Sequence, residues 1–261
     1  MSRAELSTSG LSSVVRGKGG PPLLLVHGAG GSIQANYGPV LAPLTKKFTV
    51  IAPDLPGSGA TPCSDKPLQL DDLSDRLVTT AVEAGYETFA ISAFSMGTAV
   101  AIRTAVRHAD RVTALVLTAP FAKLDADSRA RTDRWIELLA VSPQELAHYV
   151  LKLMVSPEYL GRLSPGQVAG FAELIGMSVP RGAPEHIDLL QRVDVTEDLP
   201  QITVPTLVIG PTKDQLLSTT LPREVADLVP GAKFVDIPCG HATALEMASL
   251  WASIMIEFLE E

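Results

Sequence analysis

In this sequence of 261 residues, the residue whose placement most directly implies chemistry is a serine at the point where a strand runs straight into a helix. Residues 88–107 read TFAISAFSMGTAVAIRTAVR: an apolar run of strand length ends at Phe94, a helical pattern begins at Met96, and Ser95 occupies the bend between them. A bend this tight strains the serine backbone, lifts the hydroxyl clear of the chain and sets it beside the positive end of the following helix. Small residues are needed two places before and two after, and Ala93 and Gly97 stand there. A serine nucleophile also needs a base to take its proton and a carboxylate to hold that base in the right tautomer. His241 follows an apolar run through the turn PCG, and Asp214 follows another through PTKD. Taken singly, Asp214 also reads as a turn-forming aspartate and His241 as a loop histidine. Taken together, with Ser95, each stands just past the end of a strand.

That position matters because of the elements that hold it. Short apolar runs bounded by turn residues alternate with helical periodicity, as in βαβ units with a parallel sheet. Strands are predicted at residues 23–27, 48–53, 88–94, 112–118, 206–210 and 233–237, and helices at 70–84, 96–107, near 222–228 and at 248–260. Continuous apolar strands of this kind are buried on both faces. In a parallel sheet all strand C-termini share one edge, so the loops carrying Ser95, Asp214 and His241 meet there although they are far apart in the chain. From residue 121 to 196 the strand signal disappears. Ser142-Pro143-Gln144-Glu145 and Ser164-Pro165-Gly166-Gln167 each combine an N-cap hydroxyl, a proline at the first helical position and a capping-box partner, so this stretch is expected to be a set of short helices. The expected organisation is an α/β core of residues 1–120 and 197–261 with a helical cap of residues 121–196.

The segments HGAGG after the first buried strand, APDLPGSGAT after the second, AFSMG at the bend, VPTLVIGPTKD before the aspartate and IPCGHA around the histidine occur in an order and at spacings that resemble the α/β-hydrolase family over essentially the whole chain. The resemblance implies a mostly parallel central sheet flanked by helices with an inserted helical lid. It also implies a serine hydrolase with Ser95 as nucleophile, His241 as base and Asp214 as the orienting acid. Two positions depart from the family pattern: Ala93 replaces the commoner glycine, and Thr98 stands where a second glycine often follows. In the loop His27-Gly28-Ala29-Gly30-Gly31, the amides of Ala29 and of Met96 are the expected oxyanion donors. The resemblance implies that His27 holds the loop rather than transfers protons. Gly28, Gly30 and Phe94, with Trp135, Leu139 and Met154 from the helical stretch, are the expected substrate contacts. The expected reaction is hydrolysis of an ester-like bond in a small, largely apolar substrate through an acyl-enzyme. Relatives of this fold also include lyases, perhydrolases and carbon–carbon bond hydrolases, and some bind ligands without turnover; the three residues alone do not separate these.

Composition narrows the field further. With 46% hydrophobic and 19% charged residues, the chain has ample material for a core. A formal net charge of −8 argues against nucleic acid as a partner. No apolar run approaches the ~20 residues of a membrane span, and the polar opening MSRAELSTSGLSSVV lacks the apolar centre of a signal peptide, so a cytoplasmic small-molecule enzyme is expected. HGAGG lacks the lysine and serine of a P-loop and the spacing of a dinucleotide fingerprint, and Cys63 and Cys239 show no ligand spacing, so neither cofactor nor metal is expected. His108, His148 and His186 read as lone surface or internally satisfied residues. Oligomeric state is left open.

Overall fold

The computed structural model describes residues 8–17 and 19–261. The polar opening lies in part, at residues 1–7, outside them. Among the described residues, seven strands form one sheet: β1 (Ser13–Arg16), β2 (Pro22–Val26), β3 (Thr49–Pro53), β4 (Phe89–Phe94), β5 (Val112–Thr118), β6 (Thr206–Pro211) and β7 (Lys233–Ile237). They lie in the order β1-β3-β2-β4-β5-β6-β7, parallel throughout except β1, which runs antiparallel to β3 at the edge. This is the mostly parallel sheet that the resemblance implied.

The helices α1 (Ile33–Thr45), α2 (Leu70–Glu83) and α3 (Met96–Arg107) follow β2, β3 and β4. Between β5 and β6 come α4 (Ala126–Val141), α5 (Pro143–Met154), α6 (Pro157–Gly161), α7 (Pro165–Ser178) and α8 (Ala183–Arg192). α9 (Leu221–Leu228) joins β6 to β7, and α10 (Thr243–Glu246) and α11 (Ala248–Leu259) close the chain. Along β2, Leu24 and Val26 face one apolar cluster while Leu23 and Leu25 face the other. Burial on both faces is why the strands read as unbroken apolar runs instead of alternating ones. α2 and α3 cover one face; α1 and α11 cover the other.

Three of these elements were not foreseen: β1, α1 and the one-turn α10. β1 is short and exposed at all four residues, so it carries no apolar pattern. α1 contains Pro39 and Pro43, which break the helical signal even though Ser32 caps the start by accepting the Ala35 N–H. Ser142 and Ser164 cap α5 and α7 as their sequences imply, with the full reciprocal capping box at Ser164 and Gln167. The first and last residues of the inserted stretch meet: Lys123 and Asp194 form an antiparallel bridge and an ion pair of 2.9 Å, and the Val195 N–H donates to Ala122 O. Five helices therefore leave and return to the sheet through one narrow neck.

Candidate active site

Ser95 is the residue between β4 and α3, with φ +53° and ψ −126°, in a region that residues bearing a side chain rarely occupy. Holding it there costs on the order of 1–3 kcal/mol, which the surrounding contacts must supply. Its N–H continues the sheet by donating to Thr118 O, and the Thr98 hydroxyl donates to Ser95 O at 2.6 Å. Thr98, the departure from the commoner glycine, thus brackets the bend. Gly97 is required: a Cβ there would lie 2.6 Å from both His27 O and Val26 O, which are backbone atoms with no freedom to move. Met96 supplies the first amide of α3, one of those a helix leaves without an intrahelical partner.

Asp214, past β6, and His241, past β7, reach the same edge. His241 Nδ1 lies 2.6 Å from Asp214 Oδ2, and His241 Nε2 lies 3.0 Å from Ser95 Oγ. A carboxylate only accepts, so Nδ1 carries the proton and donates to Asp214, leaving the Nε2 lone pair to accept from the Ser95 hydroxyl. The other carboxylate oxygen, Oδ1, accepts the Leu216 and Leu217 amides at 2.8 and 3.0 Å, which fixes the carboxylate plane. All three side chains are buried. The Phe94 ring lies 5.0 Å from the imidazole of His241, and Trp251 of α11 packs behind Phe94 while its indole N–H donates to Thr118 Oγ1.

The histidine loop is also tied to the inserted helices. Glu246 Oε1 accepts the amides of Ser156 and Gly240 at 2.6 and 3.1 Å, Glu246 Oε2 accepts the Ser156 hydroxyl, and the Ala242 N–H donates to Met154 O. Both residues flanking His241 are therefore bonded, directly or through one carboxylate, to the segment joining α5 and α6. Glu246 carried no motif, and the Ser-Pro pair at residues 156–157 signals only the start of α6, not a tie to the histidine loop.

The glycine loop is held in a comparable way. His27 is fully buried and structural, as expected: its Nδ1–H donates to Gly28 O at 2.9 Å and its Nε2 accepts the Leu55 N–H. Burial, followed by the neighbouring His186 ring, pushes its pKa down to about 3, so the ring stays neutral. The Gly28 N–H donates to Asn36 Oδ1 at 2.8 Å, the Gly30 N–H to His186 Nδ1 at 3.2 Å, and the Ser58 hydroxyl to Gly31 O. The Ala29 N–H between them has no protein partner among the described residues. His186 is thus not a surface residue but a fully buried one, reached from the helical stretch. Asp54 Oδ1 accepts the Ile33 N–H at the start of α1. Cys239 is a buried filler whose thiol, pushed up to about 12 by burial, stays protonated.

Over Ser95 and His241 lies a cavity of about 620 Å³, within the usual range for small-molecule sites. Ala29, Gly30 and Phe94 line it from the sheet side; Trp135, Met154 and Phe171 are among the residues lining it from the helices. No Asp, Glu, Lys or Arg lines it among the described residues. Two expected substrate contacts are elsewhere. Gly28 lies beneath the bend, where a Cβ would come within 3.1 Å of Phe94 and Ser95, and its amide is already bonded to Asn36. Leu139 packs on the apolar core rather than on the cavity, because α4 passes the opening at Trp135 and has moved on by the next turn.

The family described as alpha/beta hydrolase fold matches residues 21–248. The chain is 27% identical, over 99% of its own length and 98% of the relative's, to pyrrolizixenacetamide deacetylase of Xenorhabdus hominickii. It is 27% identical, over 90% of its length and 76% of the relative's, to a pimeloyl-acyl-carrier-protein methyl ester esterase of Neisseria meningitidis. The enol-lactonase of Burkholderia xenovorans superimposes with a TM-score of 0.86 at 23% identity, covering 96% of each chain. Among the described residues no helix is long and apolar enough to cross a membrane.

Proposed function

The chain belongs to the alpha/beta hydrolase fold family, an enzyme among hydrolases, and from that premise we propose that it cleaves an ester-like bond of a small, uncharged, largely apolar substrate through an acyl-enzyme on Ser95. The observation that carries this reading is the buried chain of hydrogen bonds from Asp214 through His241 to Ser95, opening on a cavity without a charged side chain. An anionic substrate entering that cavity would lose its hydration and gain no cation in return. Two of the relatives are named as a deacetylase and a methyl ester esterase, names that denote removal of an acyl or alkoxy group.

In the proposed reaction His241 Nε2 takes the Ser95 proton as Oγ attacks the carbonyl carbon. The Asp214 carboxylate, held by two amides, stabilises the imidazolium that forms. The N–H groups of Ala29 and Met96 receive the oxyanion; one such preorganised donor is worth about 3–4 kcal/mol of barrier. His241 then protonates the leaving alkoxide, and after that departs it activates a water that returns the acyl group as a carboxylic acid and restores Ser95. Residues 121–196 form a cap on a core of 1–120 and 197–261 and supply the apolar wall, with Trp135 and Met154 as substrate contacts.

Steady-state hydrolysis of a series of p-nitrophenyl acyl esters tests this, with labelling by a fluorophosphonate probe alongside. The wild-type chain is expected to be labelled and active, and Ser95→Ala neither. Full ester hydrolysis by Ser95→Ala sinks the reading. Cleavage of a β-diketone by a wild-type chain that is inert toward every ester replaces it with carbon–carbon bond hydrolysis.

A further inference from the structure

His186 makes two hydrogen bonds that join three separate parts of the molecule. Its Nδ1 accepts the Gly30 N–H at 3.2 Å and its Nε2 lies 2.8 Å from Pro56 O. Gly30 N–H only donates and Pro56 O only accepts, so a single species fits: the neutral imidazole with its proton on Nε2. His27, whose ring centre is 5.9 Å away, is held in the opposite tautomer by Gly28 O and the Leu55 N–H. Two neutral rings therefore grip successive peptides of one loop, and neither can take a second proton without breaking a bond.

The reach of His186 is set by backbone. α8 begins where Gly182 meets Gly57, and the contact is so close that a Cβ on Gly57 would lie 2.4 Å from Gly182 Cα. The Gly182 N–H donates to Gly57 O, and the His186 N–H donates to Gly182 O in the first turn of α8. Two facing glycines thus bring the helix down onto the turn after β3, and His186, in its first turn, arrives at the glycine loop. Gly30 is itself in the left-handed region, at φ +63°, one of several conformations a glycine adopts freely, so a partner on its N–H helps select it. Within residues 28–30 the first amide is tied to Asn36, the third to His186, and the middle one, Ala29, is left over.

We propose that His186 is a positioning residue for the reaction: by accepting the Gly30 N–H while anchored on Pro56 O, it fixes the Ala29–Gly30 peptide and, through the Ala29 backbone, steadies the preceding Gly28–Ala29 peptide, whose carbonyl His27 holds and whose N–H is presented to the oxyanion. This rests on the acyl-enzyme reading above and gives the inserted helices a part in the chemistry besides enclosing the substrate. The interaction matters when charge develops on the carbonyl oxygen, so it acts on kcat more than on KM.

Two amide substitutions separate the two bonds of the imidazole. In His186→Asn, Oδ1 stands near the place of Nδ1 and can accept from Gly30; in His186→Gln, the longer amide reaches the place of Nε2 and can donate to Pro56 O. Both are compared with His186→Phe and the wild type by steady-state hydrolysis of a p-nitrophenyl ester and by thermal unfolding of the whole chain. The expected result is a kcat about 10–100-fold down in the Phe and Gln variants, KM within about threefold, and recovery of at least about tenfold in Asn over Gln. Equal kcat in Asn and Gln, or wild-type kcat in Phe, overturns the role assigned to His186 while leaving the acyl-enzyme intact. If the Phe variant does not fold, the Asn to Gln ratio still decides. A wild-type chain inert toward all esters overturns the functional reading itself and the inference with it.

Discussion

The two walls of the cavity are made differently. On the sheet side, polar atoms at the strand ends have assigned partners: Asp214 holds His241 and two amides, Thr98 brackets Ser95, and Gly28 is tied to Asn36. On the helical side the lining is mostly apolar, with Trp135, Val150, Leu151, Met154, Phe171 and Ile175, and the buried indole N–H of Trp135 has no partner among the described residues. Hydrogen bonds are directional and fail within a few tenths of an ångström, whereas apolar contacts tolerate replacement at similar volume. The first wall therefore suits a reaction, which needs fixed geometry, and the second suits a substrate, which needs only shape. The contrast is broken at two points, where Ser156 meets Glu246 and where His186 meets Gly30, and there the helices hold the loops that carry the polar groups.

Disturbing the sheet side is expected to have the largest effect. Asp214→Asn leaves shape unchanged but offers His241 an amide that can force the wrong tautomer, so kcat is expected to fall about 10³–10⁴-fold with KM little changed. A fall of less than tenfold in steady-state assays means that Asp214 is not the orienting acid. Gly97→Ala drives a methyl against two carbonyl oxygens at 2.6 Å, and a loss of about 3 kcal/mol of stability, or failure to fold, is expected in urea unfolding. A variant as stable as the wild type shows that β2 can retreat and that the bend is softer than its contacts imply.

The paired histidines sharpen the comparison through pH. His27 stays neutral when folded, with a pKa near 3, but titrates near 6.5 when unfolded, so the unfolded chain binds the extra proton and stability drops as pH falls below 6.5. Between pH 6.5 and 5 this one group is expected to cost about 2 kcal/mol. His186, lowered by burial, adds in the same direction. Asp75, held at about 2 chiefly by its hydrogen bond to Arg107, loses its contribution only at lower pH and does not blur this window. Urea unfolding at the two pH values measures the drop, and an unchanged midpoint contradicts two neutral buried rings. The smallest effect is expected on the apolar wall: Phe171→Ala should shift the preferred acyl length and change KM about fivefold while leaving kcat and melting temperature near wild type, as a chain-length series of esters would register. A loss of kcat as large as that of Asp214→Asn erases the division between the walls.

Much of the sheet side was readable from the linear order. β5, α3 and β7 have the ends that periodicity implies, because period, caps and small residues at a bend are properties of neighbours in the chain. Ser95, Asp214 and His241 were readable for a related reason: in a parallel sheet a residue just past a strand must come to one edge. β1 and α1 were not readable. β1 is exposed and owes its existence to pairing with β3, and α1 keeps two prolines whose cost is offset by burying Tyr37, Val40 and Leu44.

His186, Asn36, Ser156 and Glu246 belong to another class. Nothing beside them in the chain announces these contacts, the Ser-Pro at residues 156–157 signalling only a helix start; the role of His186 exists only once the Gly57 and Gly182 backbones touch, that of Ser156 and Glu246 only once the histidine loop lies against the end of α5, and that of Asn36 only once α1 folds back on the glycine loop. Residue types and their order along the chain thus determined the parallel strands, the bend and the meeting of Ser95, Asp214 and His241 at one edge. Tertiary packing decided which amides of the glycine loop were taken and which was left: the Gly28 amide goes to Asn36 in the helix that follows, but the Gly30 amide goes to His186, more than a hundred residues away, a contact that no local pattern encodes.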